Sequence, residues 1–322
     1  MELNEFLAEW HNDNPRILVH TSGSTGKPKP LMVEKRRMLN SARITCDFLG
    51  LKPGDTALLC MPLDYIAGKM MVVRSLQRDL RLTSVRPSSH PLADDALPHF
   101  TFAAMVPMQV YNTLKVPCER ERLMRIRHLI IGGGAISDEL AQMIKPLPNA
   151  VWSTYGMTET LSHIALRRLN GPDASLWYTP FDGVGISLNA DGCLVIDAPE
   201  VCAEPLATND IAQLRTDDRT GKTLFRIKGR KDNVVCSGGI KIQIEEVEET
   251  LRPHLSSPFM IVKKQDEMLG EKAILLTESA DLTHIEEICR NTLPKYWVPR
   301  EFLHIDHLPL TETGKPKRSG AF

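Results

Sequence analysis

The sequence lacks long apolar runs and paired cysteines. Its hydrophobic stretches fall well short of the roughly 18 residues that a membrane-spanning helix needs, so we expect no membrane insertion. The seven cysteines are scattered and odd in number, and none forms a CxxC pair. This argues against a disulfide framework and against a zinc site, and it favours buried thiols in a reducing cytoplasm. The N-terminal MELNEFLAEW also lacks the basic-then-apolar order of a signal peptide.

An excess of charge of one sign is missing as well. The 322 residues include 39 basic and 40 acidic side chains, so the formal net charge is −1. A dedicated nucleic-acid binder carries a strong positive field, so we expect no nucleic-acid partner. Hydrophobic residues make up 42% of the chain, which excludes a disordered protein. The length favours one large domain and a small one.

Short apolar runs alternate with helical patterns in the first half of the chain. Strands are predicted at Arg16–His20, Thr56–Met61 and His128–Ile131, and helices at Met38–Leu49 and Ser137–Ile144. In the last of these, Ser137 is the predicted N-cap residue. The alternation of strand, turn and helix predicts α/β layers.

The pattern changes in the second half of the chain. Phe181–Asp197 is punctuated by glycine, with Asp191-Gly192 as a hairpin turn. A helix at Ile244–Leu251, two strands and a helix from Thr283 then predict a compact α+β unit. We therefore predict domains at residues 1–229 and 230–322.

The stretch TSGSTGKPK at residues 21–29 follows the first predicted strand directly. Small residues let backbone N–H groups approach phosphate oxygens, hydroxyls add donors, and lysine adds charge. The stretch is not a Walker loop, because position 21 is not glycine and position 28 is proline. The alternative is a solvated linker, which seldom follows a buried strand. The predicted phosphate-binding residues are Thr21, Ser22, Gly23, Ser24, Thr25, Gly26 and Lys27.

This stretch resembles the phosphate-binding signature of the acyl-adenylate-forming enzymes, which include the acyl-CoA synthetases. Further segments resemble the other motifs of that family in the same order. They are Gly132–Ala135 (GGGA), Tyr155–Thr160 (YGMTET), Thr208–Asp210 (TND), Gly229–Asn233 (GRKDN) with Ser237–Gly239 (SGG), and Leu308–Lys315 (LPLTETGK). The resemblance extends from residue 21 to residue 315, nearly the whole chain.

The resemblance implies a large layered α/β domain followed by a mobile α+β lid. It also implies a two-step reaction, in which ATP converts a carboxylate to an acyl-AMP and a thiol then displaces AMP. The implied partners are a small carboxylic acid, ATP, Mg²⁺ and coenzyme A, and a homo-oligomer is left open. Because the first step brings an anion against an anionic α-phosphate, neutralising charge and positioning the reactants are the main tasks of the site.

By the same resemblance, several residues take roles in nucleotide binding. Thr158 would bond the α-phosphate, Glu159 would hold Mg²⁺, and Tyr155 would stack on adenine. Asp210 would grip the ribose hydroxyls, and Arg230 would reach the same sugar. The remaining positions assigned to ATP are Gly133, Gly134, Ala135 and Gly156. The GGGAIS stretch fails GxGxxG at its last position, which argues against a dinucleotide fold.

The lid residues also follow from the resemblance. Lys315 would stabilise the charge that develops in the adenylation transition state. Asp232 would be the hinge of a domain swing, and Gly238 and Gly239 would let the pantetheine arm of CoA approach the backbone. Such a swing would withdraw Lys315 before thioester formation.

Two features depart from the family pattern. Only 20 residues precede the phosphate loop, so the family's first subdomain is expected to be missing or the form to be naturally minimal. In MPLDYIAG, which resembles LPLFHxxG, Tyr65 stands where the family usually has histidine. Tyr65 either walls the acid pocket as an aromatic plate or packs in the core.

Two residues suggest the identity of the carboxylic acid substrate. They are Arg74 in the apolar run KMMVVRSL and His163 in MTETLSHIALRRLNG. These positions resemble the short o-succinylbenzoate–CoA ligases of menaquinone synthesis, whose substrate carries a second carboxylate that needs a cation. Arg74 could instead extend to solvent from a helix. Two other functions remain open: loading of a carrier protein, for which Asp64 is the nearby acidic candidate, and non-catalytic nucleotide binding.

Overall fold

The computed structural model describes residues 1–20, 30–134, 136–309 and 317–318. Its chain divides into two compact units. Unit 1 comprises Met1–Ile186, Ile196–Leu206 and Leu214–Phe225, and unit 2 comprises Ser187–Val195, Ala207–Gln213 and the chain from Arg226 onward. The chain therefore passes between the units five times, and the domain boundary at 229/230 stays a prediction.

Unit 1 is an α/β layer structure, as the alternating pattern predicts. Its helices and strands, in chain order, are α1 Leu3–His11, β1 Arg16–His20, β2 Pro30–Glu34, α2 Lys35–Leu49, β3 Thr56–Leu59, α3 Ile66–Arg78, β4 Arg81–Ser84, β5 Phe102–Met105, α4 Pro107–Lys115, α5 Pro117–Met124, β6 His128–Ile131, α6 Asp138–Ile144, β7 Ala150–Gly156, β8 His163–Arg168 and β9 Thr179–Pro180.

A seven-stranded sheet organises unit 1, in the order β4-β3-β5-β6-β7-β8-β9. The first five strands are parallel, and β8 and β9 are antiparallel to their neighbours. Parallel strands with helices on the sheet are buried on both faces and therefore read as continuous apolar runs. All four residues of β5 are buried, and so are Leu129–Ile131 of β6.

The element ends follow from local signals. Helix α2 ends at Gly50, which takes the left-handed conformation at φ 64° that glycine adopts without penalty. The helix begins at Lys35, three residues before the predicted start at Met38. Its first turn is polar, so hydrophobic periodicity does not indicate that turn. Helix α6 has the predicted N-cap, since the Ser137 hydroxyl accepts a hydrogen bond from the Leu140 N–H.

A four-stranded sheet is formed by the strands that follow β9 in the chain. Its strands pair in the order β10 Gly185–Leu188, β11 Cys193–Asp197, β12 Leu206–Thr216 and β13 Thr223–Arg230. The turn between β10 and β11 contains Gly192 at φ 75°, which agrees with the predicted Asp191-Gly192 hairpin turn.

The chain of unit 2 beyond β13 is the predicted α+β layer. It contains β14 Val234–Ser237, β15 Ile240–Gln243, α7 Ile244–Leu251, β16 Phe259–Asp266, β17 Gly270–Thr277, α8 Leu282–Thr292 and β18 Glu301–His304. Alternate residues of β16 and β17 face two clusters. Ile261 and Leu275 pack with Val247 of α7 and Ile285 of α8. The neighbouring residues along the strands, such as Val262, point to the opposite face and pack in a separate cluster.

Candidate active site

The family-like motifs of unit 1 follow the carboxyl ends of parallel strands. Residues 60–65 follow β3, residues 132–134 follow β6, and residues 157–162 follow β7. Since β3, β5, β6 and β7 run in the same direction, these segments lie at the same edge of the sheet. Ligands of open α/β sheets bind at that edge, so it is where a site is expected.

The loop at residues 157–162 holds Thr158 and Glu159. Thr158 is buried and its carbonyl accepts the Leu161 N–H at 2.9 Å, whereas Glu159 is exposed. Leu161 is buried at φ 65°, a left-handed conformation that is costly for a branched residue and that is concentrated at functional sites. Thr160 is fully buried, and its hydroxyl lies within hydrogen-bond distance of the backbone of Met157 and Ser162. These contacts fix the shape of the loop.

Gly156 allows the loop to close on itself. A Cβ at this position would lie 2.3 Å from the Ser162 carbonyl oxygen and 2.4 Å from the His163 Cα. No side chain fits in that space, so the glycine of the YGMTET motif is needed for the close approach of β7 and β8.

The glycine segment after β6 also has a steric reason. Gly133 has φ 81°, and a Cβ on Gly132 would lie 2.5 Å from the Thr154 hydroxyl. The segment therefore passes close to β7 and leaves backbone groups unobstructed by side chains. Gly134 completes the described part of the motif, and Ala135 lies outside the described residues.

Tyr155 belongs to an aromatic cluster. Its ring centroid lies 5.8 Å from that of Tyr178 and 5.0 Å from that of Phe225, and the rings of Tyr178 and Phe225 stack on each other. Aromatic pairs at these distances stabilise one another and hold the Tyr155 ring in place. The predicted stacking of Tyr155 on adenine stays a prediction.

A cleft of about 350 Å³ lies beside Glu159 within unit 1. Its lining includes Val33 and Glu34 of β2, Leu161 and Cys202. Among the described residues, no group of three or more His, Cys, Asp or Glu could hold a metal ion. Glu159 still fits Mg²⁺, because proteins bind this ion through one or two carboxylates together with substrate phosphates and water.

Arg74 is buried in the middle of α3, with 2% of its surface exposed. The alternative that it extends to solvent is therefore wrong. One Nη donates to the Ser162 hydroxyl at 2.6 Å, the other contacts the Met71 sulfur at 3.9 Å, and its buried Nε has no acceptor within the described chain. No described carboxylate forms an ion pair with Arg74, and burial lowers its pKa to about 10. A buried cation without a counter-ion is costly.

His163 lies next to Arg74 in the same buried cluster. Its Nδ1 is 3.2 Å from the Ser162 hydroxyl, and its Nε2 is 3.2 Å from the Thr45 hydroxyl of α2. Burial, and then the positive charge of Arg74, hold the pKa of His163 well below its usual value of 6.5. The imidazole is therefore neutral at physiological pH, and the structure brings together two of the three residues predicted to bind the acid.

Tyr65, the third of these residues, lies apart from them. It is the N-cap residue of α3 and is 43% exposed, so the alternative that it packs in the core is wrong. Nine residues separate it from Arg74, which corresponds to about 13 Å along the helix and about half a turn around it. Its role at the acid pocket stays a prediction. Asp64 is exposed and pairs with the Met1 amino group at 3.2 Å, so it is no buried partner for an amino acid substrate.

Unit 2 contains the predicted ribose and hinge residues. Arg230 lies 3.2 Å from a carboxylate oxygen of Asp210 and 2.8 Å from one of Asp232, so the structure brings these three residues together. Asp232 lies in a short 3₁₀ turn, and Gly238 and Gly239 have φ of 56° and 82° at the turn between β14 and β15. Their roles at the ribose, the hinge and the CoA side stay predictions.

Two sets of predicted residues lie outside the described chain. They are the phosphate loop Thr21–Lys27 and the lysine Lys315. For both, the expectation from the sequence stands as a prediction.

Sequence reasoning missed Ser162 and Thr45. Ser162 is adjacent to His163 and carries no local sequence signal of its own. Thr45 carries a recognisable signal, because it lies with Ser41 among the apolar residues of the buried face of α2. A hydroxyl on an otherwise apolar helix face indicates a buried hydrogen-bond partner, and for Thr45 that partner is His163.

A model of the family described as AMP-binding enzyme matches residues 4–203. The chain belongs to this family. It is similar to the solved structure of an acyl-CoA synthetase (AMP-forming)/AMP-acid ligase II-like protein from Dyadobacter fermentans, with 33% identity, a TM-score of 0.68 and coverage of 98% of this chain and 91% of that one. These relationships identify the protein as an AMP-forming ligase of the acyl-CoA synthetase type.

Curated relatives name the same reaction class. The chain is 26% identical to the 2-succinylbenzoate–CoA ligase of Bacillus mycoides, over 95% of this chain and 69% of the relative. It is also 26% identical to one from Bacillus cereus, over 92% and 67%. The chain thus spans about two thirds of the length of these relatives, and it is an acid–CoA ligase.

The fold agrees with a further solved structure. MenE from Bacillus subtilis, solved with ATP and a magnesium ion, has a TM-score of 0.73 at 23% identity, over 94% of this chain and 69% of that one. This likeness supports the layered α/β architecture. Among the described residues, no helix combines the length and apolarity needed to cross a bilayer.

Proposed function

We propose that the acid is o-succinylbenzoate and the product o-succinylbenzoyl-CoA, an intermediate of menaquinone synthesis. The observation that carries this proposal is Arg74, a buried cation without a described carboxylate partner. The relatives named 2-succinylbenzoate–CoA ligase support it.

The charge of Arg74 fits a dicarboxylic acid. One carboxylate of o-succinylbenzoate is activated, and the other enters the site as an anion whose burial is costly unless it is paired. The planar guanidinium can donate two parallel hydrogen bonds to a carboxylate. With Ser162 occupying one Nη, the Nε and the remaining Nη hydrogens are left for this second carboxylate.

The proposed reaction has two steps, adenylation of the acid and transfer of the acyl group to CoA. A carboxylate oxygen of the acid bonds to the α-phosphorus of ATP, and the bond from that phosphorus to pyrophosphate breaks. The CoA sulfur then bonds to the acyl carbon, AMP leaves, and the thiol proton passes to solvent. Thr158 bonds the α-phosphate, and Lys315 stabilises the charge of the first transition state. Glu159 would hold Mg²⁺, which would supply positive charge against the phosphates.

The nucleotide and CoA contacts complete the proposal. Residues 21–27 hold the β- and γ-phosphates, the backbone at residues 133–135 and the ring of Tyr155 receive adenine, and Asp210 with Arg230 receives the ribose. Gly238 and Gly239 accommodate the pantetheine arm. Side chains there would obstruct a narrow thiol arm, whereas both glycines leave the backbone open.

Replacing Arg74 tests the substrate. Truncating one partner of a buried ion pair costs about 3–5 kcal/mol, or roughly two to four decades of kcat/KM. We expect Arg74→Ala to lose that much activity with o-succinylbenzoate. Its activity with a mono-acid that lacks the second carboxylate, either benzoate or 4-oxo-4-phenylbutanoate, should barely change.

The matched control is Arg78→Ala on the same helix, whose side chain instead binds Asp47 and the Leu51 carbonyl. It should treat both acids alike. An equal loss for the dicarboxylic acid and the mono-acid in Arg74→Ala would contradict the substrate assignment and leave a generic acid–CoA ligase.

A further inference from the structure

A continuous row of hydrogen bonds in unit 1 joins three buried side chains, Arg74, His163 and Thr45, and the half-buried Ser162. Arg74 Nη2 lies 2.6 Å from Ser162 Oγ, which lies 3.2 Å from His163 Nδ1. His163 Nε2 lies 3.2 Å from Thr45 Oγ1, which lies 3.0 Å from the Ser41 carbonyl oxygen. The row joins α3, the loop before β8, β8 itself and α2.

The direction of the row is fixed from the α2 end. The Thr45 hydroxyl has a single hydrogen, which it donates to the Ser41 carbonyl one helical turn earlier. It can therefore only accept from His163, so Nε2 carries the imidazole proton. The Nδ1 of a neutral imidazole is then an acceptor.

The arginine end is compatible with the same direction. A guanidinium only donates, so Ser162 Oγ accepts from Arg74. The one hydroxyl hydrogen of Ser162 is then free to point to His163 Nδ1. With Nε2 protonated at the Thr45 end, Arg74 donates to Ser162, Ser162 to His163, and His163 to Thr45.

The imidazole is also held by packing. The rings of His163 and Phe181 meet edge to face, with their centroids 5.5 Å apart at 62°. A ring fixed by a hydrogen bond at each nitrogen and by an aromatic neighbour keeps its acceptor aimed at Ser162. We propose that His163 is a positioning residue, which through Ser162 holds the guanidinium of Arg74 in place for the second carboxylate of a dicarboxylic acid.

This role has an energetic reason. An arginine side chain loses rotamer entropy when it is fixed, and fixing it before the acid binds removes that cost from binding. The row also leaves the Nε of Arg74 without an acceptor within the described chain. His163 itself then makes no contact with the acid. The inference rests on the proposed function, because it concerns the carboxylate that Arg74 is proposed to bind.

Two variants of nearly equal shape separate positioning from packing. His163→Asn keeps an acceptor oxygen where Nδ1 was, whereas His163→Leu has the same branching without an acceptor. A hydrogen bond in such a row contributes about 1–2 kcal/mol, or roughly 5–30-fold. We expect His163→Leu to raise the KM for o-succinylbenzoate by about that factor, with kcat little changed. His163→Asn should recover most of the loss, and neither variant should change the KM of the mono-acid.

A double-mutant cycle shows whether His163 acts through Ser162. In a Ser162→Ala background the row is already broken, so His163→Leu should change the KM of the dicarboxylic acid by less than about twofold. Additive effects of the two changes would overturn the proposal. So would equal losses in His163→Leu and His163→Asn, or a loss that is the same for both acids.

The Arg74→Ala variant, measured in the same series, separates the two hypotheses. If Arg74 discriminates between the two acids but His163→Leu does not, the positioning role is wrong and the substrate assignment stands. If Arg74→Ala affects both acids equally, the substrate assignment itself fails, whatever His163 does.

Discussion

The proposed chemistry of this ligase depends on single cations placed against negative charge. Arg74 shows what such a placement requires: a buried helix position, one hydroxyl acceptor and no competing carboxylate in the described chain. Arg74 is proposed to meet a standing carboxylate, whereas Lys315 is proposed, from the family motif, to meet charge that develops during adenylation. A positioned cation acts in one step only if the charge that it stabilises develops in that step.

We therefore expect Lys315→Ala to affect the two half-reactions differently. Loss of one positioned charge-stabilising group costs about 10²–10³ in rate, so acyl-AMP formation should fall by that order. Thioester formation from supplied acyl-AMP should survive. ATP–pyrophosphate exchange measures the first step, and thioester release measures the second.

Lys317→Ala is the control, because Lys317 is an exposed lysine two residues further along the chain. It should leave both half-reactions near their original rates. Equal losses of both half-reactions in Lys315→Ala would show that Lys315 is not specific to adenylation.

The turn from β7 to β8 is the element on which the site depends. It brings Thr158, Glu159 and Ser162 from one loop to the carboxyl edge of the sheet. Its shape requires a backbone approach at Gly156 that excludes even a methyl group, and a buried leucine in a left-handed conformation. Such strain persists only where the surrounding structure holds it, and here the hydroxyl of Thr160 contributes.

Gly156→Ala should disturb this element. The new Cβ must displace the Ser162 carbonyl and the backbone of His163, and overpacking of this kind costs about 1–3 kcal/mol. We expect a loss of that size in the free energy of unfolding in urea and a clear fall in ATP–pyrophosphate exchange.

Gly185→Ala is the matched control in the same unit. A Cβ there would have its nearest neighbour, the Asp197 Cβ, at an ordinary 3.5 Å. Stability and exchange in this variant should stay close to those of the unchanged protein. A Gly156→Ala variant that matched it in both measurements would contradict the close approach of β7 and β8.

Two histidines with buried rings make the stability of the molecule sensitive to acid. Burial, and then the charges of Arg127 and Arg168, lower the pKa of His128 to about 4, and both its ring nitrogens are buried without a partner in the described chain. The pKa of His163 is lowered as well. Both histidines are therefore neutral in the native state, whereas in the unfolded chain they titrate near their ordinary pKa of about 6.5.

The unfolded state consequently binds more protons than the native state below about pH 6.5. The stability that the two neutral histidines contribute is therefore complete above about pH 6.5. It falls as the pH is lowered toward 4, where His128 becomes protonated in the native state too. We expect the free energy of unfolding in urea to fall from pH 7.5 to pH 5. His128→Phe should flatten this slope, and the exposed His254 provides the control variant His254→Asn. A slope unchanged in His128→Phe would contradict a neutral buried His128.

The elements whose signal is local follow from the amino-acid sequence alone. The apolar run His128–Ile131, the cap at Ser137 and the turn at Gly192 were all predicted, because each depends on residues within one turn or strand. The family motifs also lie within short segments, so they indicated an adenylate-forming ligase without any knowledge of packing.

The burial of Arg74, by contrast, depends on tertiary packing. An arginine in an apolar helix either reaches solvent or is buried, and the outcome depends on α2 and β8, which lie 29 and 89 residues away at Thr45 and His163. The protonated nitrogen of His163 likewise depends on a threonine 118 residues earlier. Hydrogen-bond direction and burial depend on which distant side chains meet in the low-dielectric interior of the fold. The order of residues along the chain does not show which side chains meet there.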